Sequence, residues 1–172
     1  MSFVIREAVE AEIPALARLH VATWNQTYPG VPSPPSVALR ERQWREAFAA
    51  ADGSWFFCYV VEAPDGELAG FAKGIRYTEP EPPGYDGELS KIYVLRAYHG
   101  LGMGRRLLGR VARRFLEQGI TSMLVFGEDG NRSCSFYAAM GGEKLRAADG
   151  TPAACNYGWR DLRVLASICP SD

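Results

Sequence analysis

The sequence predicts an α/β fold in which one mixed β-sheet of about seven strands is flanked by four helices. Runs of β-branched and aromatic residues, typical of strands, alternate along the chain with segments whose apolar residues recur at helical spacing. The predicted order is β-α-α-β-β-β-α-β-α-β-β, which places helices on both faces of one sheet. Because the 172 residues contain no internal repeat and no linker, residues 1–172 are expected to form a single domain.

The first third of the chain predicts one strand followed by two helices. FVIREA, residues 3–8, is the strand, and apolar residues at helical spacing predict the first helix over 13–24. The loop YPGVPSPPS ends that helix, because proline removes a backbone donor and clashes with the preceding turn. Ser36 is a preferred N-cap residue and predicts a second helix to about Ala50, closed by the segment 51–54.

A β-hairpin and a further strand are predicted next. WFFCYVVEA (55–63) and GELAGFAKGIRY (66–77) flank a Pro-Asp-Gly turn signal and form the hairpin. A proline-rich loop (78–87) leads to the strand ELSKIYVL (88–95). The chain closes with a buried strand, a short helix and two strands, predicted over 122–127, 131–140, 143–148 and 156–165.

The third helix, predicted to run to about Gln118, has two different faces. At about 100° per residue, one face collects the apolar residues Leu107, Leu108, Val111 and Phe115. The arginines lie opposite, and we interpret Arg110, Arg113 and Arg114 as a solvated face. The apolar face predicts the side that packs on the sheet.

Composition excludes several classes of function. The chain has 19 basic and 20 acidic residues, a formal charge of −1, so it lacks the basic surplus expected of a nucleic-acid or membrane-surface binder. The four cysteines show no CxxC spacing that would indicate a metal site. Three of them have apolar or aromatic neighbours, and we expect these three to be buried thiols of a reducing compartment. Without a signal-peptide pattern or a long apolar run, we expect a cytoplasmic protein.

Three glycines at positions 100, 102 and 104 precede the third helix and indicate an anion site. Arg105 and Arg106 occupy the first helical turn, where the helix dipole is positive and cations are mildly unfavourable. A bound anion would remove that conflict, and glycines let backbone N–H groups converge on a phosphate. Neither the P-loop nor the GxGxxG dinucleotide fingerprint fits, so we interpret the segment as a pyrophosphate site of another kind.

The chain resembles the GNAT superfamily of acetyl-CoA-dependent N-acetyltransferases. HGLGMG (99–104), between a strand and a helix, is similar to that family's (Gln or Arg)-x-x-Gly-x-(Gly or Ala) signature, and NRSCSFYAAMGG (131–142) is similar to its second signature. His99 replaces the usual Gln or Arg and can still donate to phosphate. Gly142 replaces the usual aromatic residue. The resemblance implies the GNAT fold and acetyl-CoA as cofactor.

The resemblance also implies where the cofactor binds. The backbone of the strand 92–94 would pair with the pantetheine arm, and one N–H, that of Val94, would polarise the thioester carbonyl. The implied cofactor-binding residues are Ile92, Tyr93, Val94, His99, Gly100, Leu101, Gly102, Met103, Gly104, Arg105, Asn131, Ser133 and Tyr137. Asn131 also suits an N-cap of its own helix.

Two residues are candidates for acid–base catalysis. Tyr137 matches the family's tyrosine that protonates the leaving thiolate, although a tyrosine after a phenylalanine in a short helix also suits a core. Glu88 lies 11 residues before His99, the spacing of the family's glutamate base. A solvated carboxylate at a strand end is the alternative for Glu88, and a water chain is the alternative base.

The acceptor implied by the resemblance is a primary amine, such as a small amine, a polyamine, an amino sugar or a peptide N-terminus. The acidic loop 78–87 suits a cationic amine, and an acidic surface loop is the alternative interpretation. Candidate acceptor-binding residues are Trp24, Tyr28, Glu79, Tyr85 and Asp86. A non-catalytic acyl-CoA sensor is the alternative function. Members of the family are often dimers, so the resemblance is also compatible with a homodimer.

Overall fold

The computed structural model describes residues 2–50, 55–128, 131–147 and 149–170. The segment 51–54, predicted to close the second helix, lies outside these ranges. The strands are β1 (Val4–Glu7), β2 (Phe56–Glu62), β3 (Leu68–Arg76), β4 (Gly87–Val94), β5 (Met123–Val125), β6 (Glu143–Arg146) and β7 (Pro152–Trp159). The helices are α1 (Ile13–Thr27), α2 (Val37–Ala49), α3 (Met103–Glu117), α4 (Ser133–Ala139) and α5 (Leu162–Ile168), with short 3-10 turns at Glu10–Glu12 and Arg96–Tyr98.

All seven strands form one mixed sheet, as the sequence predicts. Their order across the sheet is β1-β2-β3-β4-β5-β7-β6. Every neighbouring pair is antiparallel except β4 and β5, which are parallel and joined by a crossover through α3. The single parallel pair therefore lies in the middle of the sheet, next to the glycine-containing segment.

Helices cover both faces of this sheet. On one face, Ile13 and Leu16 of α1 and Trp44 of α2 pack with Phe71 of β3. On the other face, the apolar residues predicted for the third helix are fully buried in the main core. Within the described ranges, no helix combines the length and apolar character needed to cross a bilayer.

The arginines of α3 do not form the solvated face expected from the sequence. The Arg110 guanidinium stacks on the Tyr59 ring at 4.9 Å, and Arg114 pairs with Glu7. Arg113 donates to Ala166 O and to Pro170 O, at 3.4 and 2.6 Å. The expectation was wrong because helical periodicity locates the core face but does not show that β2 and the C-terminal segment flank the opposite face.

A fifth helix replaces the end of the predicted last strand. The sequence predicts a strand over 156–165, but β7 ends at Trp159 and α5 follows. The Asp161 carboxylate accepts a hydrogen bond from Arg163 N at 3.0 Å and so caps α5. Leu162 and Leu165, spaced as on one helical face, are buried. This is a correction to the predicted four helices.

Candidate active site

The candidate site lies where β4 and β5 separate. These strands pair only at Gly87–Met123 and Glu88–Leu124, after which β4 continues to Val94 while β5 ends at Val125. In the part of the chain that the structure describes, the β5-facing edge of β4 beyond Glu88 therefore has no strand partner. Such an edge offers backbone groups to an extended ligand. Two large cavities meet here and share Ile92 and Tyr93.

We call the first cavity the cofactor cleft, because most of the cofactor-binding residues predicted from the sequence line it; its volume is about 340 Å³. It lies between β4, the N-terminus of α3 and α4. Its lining residues are Ile92, Tyr93, Val94, Tyr98, His99, Gly100, Gly102, Met103, Gly104, Arg105, Arg132, Ser133 and Phe136. Most residues of the glycine signature therefore lie on one wall of a single cavity. Leu101 is exposed and is not among them.

The backbone at the entrance to α3 requires glycine at two positions. Gly100 and Gly102 have φ of 79° and 81°, in the left-handed region that residues with a Cβ rarely adopt. Gly102 is the N-cap of α3, and the first hydrogen bond of the helix runs from Arg106 N to Gly102 O at 3.1 Å. No side-chain cap and no acidic residue occupies this first turn. The helix end is therefore open to an anion.

The side chains of His99 and Arg105 are engaged within the protein. His99 Nε2 lies 2.8 Å from Val94 O, and because a carbonyl can only accept, this nitrogen carries the proton. Arg105 Nε donates to Ile168 O at 3.1 Å, at the C-terminal end of α5. The backbone N–H of His99 is also used, by Arg96 O. Three basic side chains line the cleft: His99, Arg105 and Arg132. Of these, only the exposed side chain of Arg132 has no hydrogen-bond partner among the described residues.

We call the second cavity the acceptor cavity, because the predicted acceptor residues Trp24 and Tyr28 line it; it shares Ile92 and Tyr93 with the cleft and has a volume of about 390 Å³. The rings of Trp24 and Tyr28, 5.1 Å apart, form one wall. The lining residues are Trp24, Tyr28, Val31, Ser90, Lys91, Ile92, Tyr93, Val125, Phe126, Gly127, Glu128, Asn131 and Tyr137.

Tyr137 reaches this cavity from α4 and holds its proton firmly. Its side chain is buried, and burial raises the pKa of its phenol well above the ordinary value, with a smaller opposing effect from Ser133. Its ring packs at right angles to Trp159, with centroids 6.1 Å apart. Burial likewise raises the pKa of Tyr93 to about 12. Both phenols are therefore neutral donors at physiological pH.

Asn131 joins α4 to the acceptor wall. Its Oδ1 accepts a hydrogen bond from Ser133 N at 2.9 Å, at the entrance to α4. The N-cap residue of this helix is Arg132, one residue later than the sequence predicts. Its Nδ2 donates to the Tyr28 hydroxyl at 3.3 Å. One side chain thus fixes both the start of the helix that carries Tyr137 and an aromatic residue of α1.

Glu88 lies beside the acceptor cavity but does not line it. It is half-buried on β4, two residues before Ser90, which does line the cavity. Burial raises the pKa of Glu88, and the positive charges of Lys91 and Lys73 oppose that rise. A proton reaching Glu88 from the cavity therefore has to pass through an intervening group or a water.

Comparison with known proteins identifies the family. Residues 13–141 match the family model described as the Acetyltransferase (GNAT) family. The chain belongs to the GNAT acetyltransferase family. It is 31% identical over 171 residues to the uncharacterized N-acetyltransferase YuaI of Bacillus subtilis (strain 168), which covers 95% of this chain and 96% of YuaI. The acyltransferase class and the family predicted from the two signatures are thereby confirmed.

Solved GNAT structures show the same fold. PaiA N-acetyltransferase from Thermoplasma acidophilum, in complex with coenzyme A, is 19% identical with a TM-score of 0.72, covering 92% of this chain and 98% of that one. The aminoglycoside N-acetyltransferase AAC(6')-Iy in complex with CoA is 21% identical with a TM-score of 0.68, covering 86% and 91%. The predicted mixed-sheet GNAT fold is confirmed, and the family's cofactor, acetyl-CoA, agrees with the cofactor expected from the sequence.

Three residues that the sequence assigned to the acceptor site lie elsewhere in this GNAT chain. Glu79 and Asp86 are exposed, and neither lines the acceptor cavity. Tyr85 is buried against β7, where a Cβ on Gly158 would lie 2.5 Å from its ring. Arg160 covers the outer face of that ring at 5.3 Å. Tyr85 therefore anchors the proline-rich loop against β7.

Two cysteines differ from the expectation of free thiols. Cys134 of α4 and Cys155 of β7 form a disulfide, with their Cα atoms 5.3 Å apart. Cys58 and Cys169 are buried free thiols, as expected. The expectation was wrong for the pair because 21 residues separate the two cysteines and only the tertiary fold places α4 against β7.

Sequence reasoning missed several residues that line the two cavities. Arg132 and Phe136 line the cofactor cleft, and Lys91, Phe126 and Glu128 line the acceptor cavity. A signal for Glu128 was available, because it follows the end of a buried strand, where side chains of α/β folds commonly meet a ligand. For Lys91 the signal was that it is the one cation in the predicted strand ELSKIYVL (88–95).

Proposed function

We propose that this chain transfers the acetyl group of acetyl-CoA to a primary amine by direct attack in a ternary complex. The observation that carries the proposal is the meeting of two cavities at the open edge of β4. Ser133 and Phe136 of α4 line the cofactor cleft, while Tyr137 of the same helix lines the acceptor cavity. One short helix thus borders both cavities, as an enzyme that acts on two bound molecules at once requires.

The residues of the cofactor cleft suit coenzyme A. The unpaired edge of β4 fits an extended pantetheine arm, and the first turn of α3, with its free N–H groups, fits a pyrophosphate. Arg132 supplies a positive charge on the opposite wall. When bound, the cofactor supplies the acetyl thioester, and the N–H of Val94 is the proposed donor to its carbonyl.

The remaining chemistry consists of proton transfers by this chain's own side chains. A primary alkylamine has a pKa near 10 and must lose a proton before it can attack. Glu88 is the proposed acceptor of that proton, through Ser90 or a water. Tyr137, whose pKa is raised by burial, holds the proton that the departing thiolate requires.

The proposal is tested by thiol release from acetyl-CoA across a panel of amines. Tyr137→Phe is expected to leave coenzyme A binding unchanged in calorimetry and to lower turnover by about 100-fold. Tyr157→Phe is the matched control, since its ring lies 6.0 Å from that of Tyr137 but lines neither cavity. An unchanged rate for Tyr137→Phe at saturating substrates removes Tyr137 from the mechanism. Coenzyme A binding without turnover on any amine would favour the sensor function.

A further inference from the structure

Lys91 is an unpaired cation in the wall of the acceptor cavity. Of the described residues that line this cavity, it is the only lysine or arginine. Its side chain is half-buried and makes neither a hydrogen bond nor an ion pair with the described residues. Partly buried lysines are normally paired, because removing an ammonium group from water without a partner is costly.

The groups that face Lys91 make its surroundings more positive. Lys73 lies directly opposite on β3 in the β3–β4 register, with its ammonium 5.3 Å from the centre of the Trp44 ring. Arg40 of α2 approaches from the helical layer, and its Nε is buried without a hydrogen-bond partner among the described residues. Among the described residues, Glu88 is the carboxylate that acts on Lys91. Two cations and one anion thus face Lys91.

Burial and the charges of Arg40 and Lys73 lower the pKa of Lys91, while Glu88 opposes them. Keeping the Lys91 side chain in its ammonium form therefore costs free energy, and an anion bound beside it would offset that cost. A cationic group placed at this wall would be repelled instead. This wall accordingly favours a negative charge on the acceptor.

The lining of the acceptor cavity also contains one carboxylate and a further aromatic ring. Glu128 follows β5 and is exposed, and it is the only carboxylate among the described lining residues. Phe126, with 48% of its surface exposed, is a further apolar residue of this lining, in addition to the aromatic side chains of Trp24 and Tyr28. A volume of about 390 Å³ suits a small molecule.

We propose that the acceptor is an amine that also carries a carboxylate, such as an amino acid, with the carboxylate bound by Lys91. This rests on the proposed acetyl transfer and specifies its substrate class. It makes polyamines and amino sugars, which carry only positive charge, poor acceptors for this site.

The test compares acceptors that differ only in the carboxylate. Each L-amino acid is assayed beside its carboxamide and its decarboxylated amine, by thiol release at saturating acetyl-CoA. For the accepted amino acids, kcat/KM is expected to exceed that of the matched carboxamide by about tenfold or more. Lys91→Met should abolish this preference by raising KM for the acid alone, and Lys91→Arg, which keeps the charge, should retain it. Lys144→Met is the control, because Lys144 lies exposed on β6 outside both cavities.

Two results would overturn the inference. One is equal or faster acetylation of carboxamides and decarboxylated amines in the wild type. The other is an equal loss on acid and carboxamide in Lys91→Met. If acetyl-CoA binds but no amine releases thiol, the proposed activity fails separately. In that case, calorimetric titration of the same acid and carboxamide pairs onto the CoA-loaded chain tests the inference. The inference requires that the acid binds more tightly than its carboxamide, and that Lys91→Met removes this difference.

Discussion

The buried His20 makes the stability of this protein depend on pH in a predictable way. His20 is 2% exposed, and its Nδ1 accepts a hydrogen bond from Trp44 Nε1 at 3.2 Å, so the ring is neutral with its proton on Nε2. Burial, together with the smaller effect of the nearby positive charges of Arg40, Lys91 and Lys73, lowers the pKa of His20 to about 3. The ordinary value in an unfolded chain is about 6.5.

The sign and size of the effect follow from these two pKa values. Above pH 6.5 the histidine is neutral in both states, and its burial costs nothing in protonation. Below pH 6.5 the unfolded chain binds a proton that the folded chain does not, so the free energy of unfolding falls by about 1.4 kcal/mol per pH unit. At pH 5.0, about 1.5 units below the unfolded value, His20 alone removes about 2 kcal/mol.

Urea unfolding followed by tryptophan fluorescence at pH 7.5 and pH 5.0 measures this loss. His20→Asn is the informative variant, because its side-chain oxygen can still accept from Trp44 but does not titrate in this range. The variant should lose about 2 kcal/mol less than the wild type between the two pH values. His99→Asn is the control: it removes the other histidine of the chain, which is exposed, and should keep the wild-type loss. The reasoning is refuted if His20→Asn and the wild type lose equal stability.

Three further predictions concern the site. Gly102→Ala should cost about 1 kcal/mol of folding free energy and weaken coenzyme A binding in calorimetry, because its φ of 81° opposes a Cβ; the control Gly104→Ala, whose Cβ would meet its nearest neighbour at 3.5 Å, should be nearly neutral for folding. Glu88→Gln should lose the acid limb of the kcat/KM profile, in which activity falls as Glu88 becomes protonated, and a profile like the wild type's would exclude Glu88 as the base. Cys134→Ser should cost about 3 kcal/mol by opening the loop to Cys155, and thiol titration of the denatured, unreduced wild type should find two thiols rather than four.

Much of the fold follows from patterns that are local in the sequence. Leu107, Leu108, Val111 and Phe115 recur on one face of a helix, and all four are fully buried in α3. The Ser36 cap was predicted equally directly, and its hydroxyl accepts from Leu39 N at 3.1 Å. Such features depend on neighbours within one or two turns, which the sequence displays.

Features that depend on tertiary placement could not be predicted in the same way. Lys91 and Glu128 line one cavity only because β4 and β5 separate after two residue pairs, and no local pattern encodes where parallel strands separate. The sequence predicts that Arg105 binds phosphate, because it follows the glycines at 100, 102 and 104 and the family signature that contains them. Its side chain instead donates to Ile168 O at the C-terminal end of α5, a helix that the sequence did not predict.

The position of Tyr137 depends on ties that bind α4 at both ends. A helix of seven residues is too short to be stable alone. Asn131 ties its start to Tyr28, the disulfide of Cys134 ties its first turn to β7, and Trp159 Nε1 donates to Met140 O at 3.0 Å at its end. These contacts come from the C-terminal end of α1 and from β7. A helix that is itself marginal can therefore hold the phenol of Tyr137 in the wall of the acceptor cavity, because contacts with β7 and with the C-terminal end of α1 set the position of that helix.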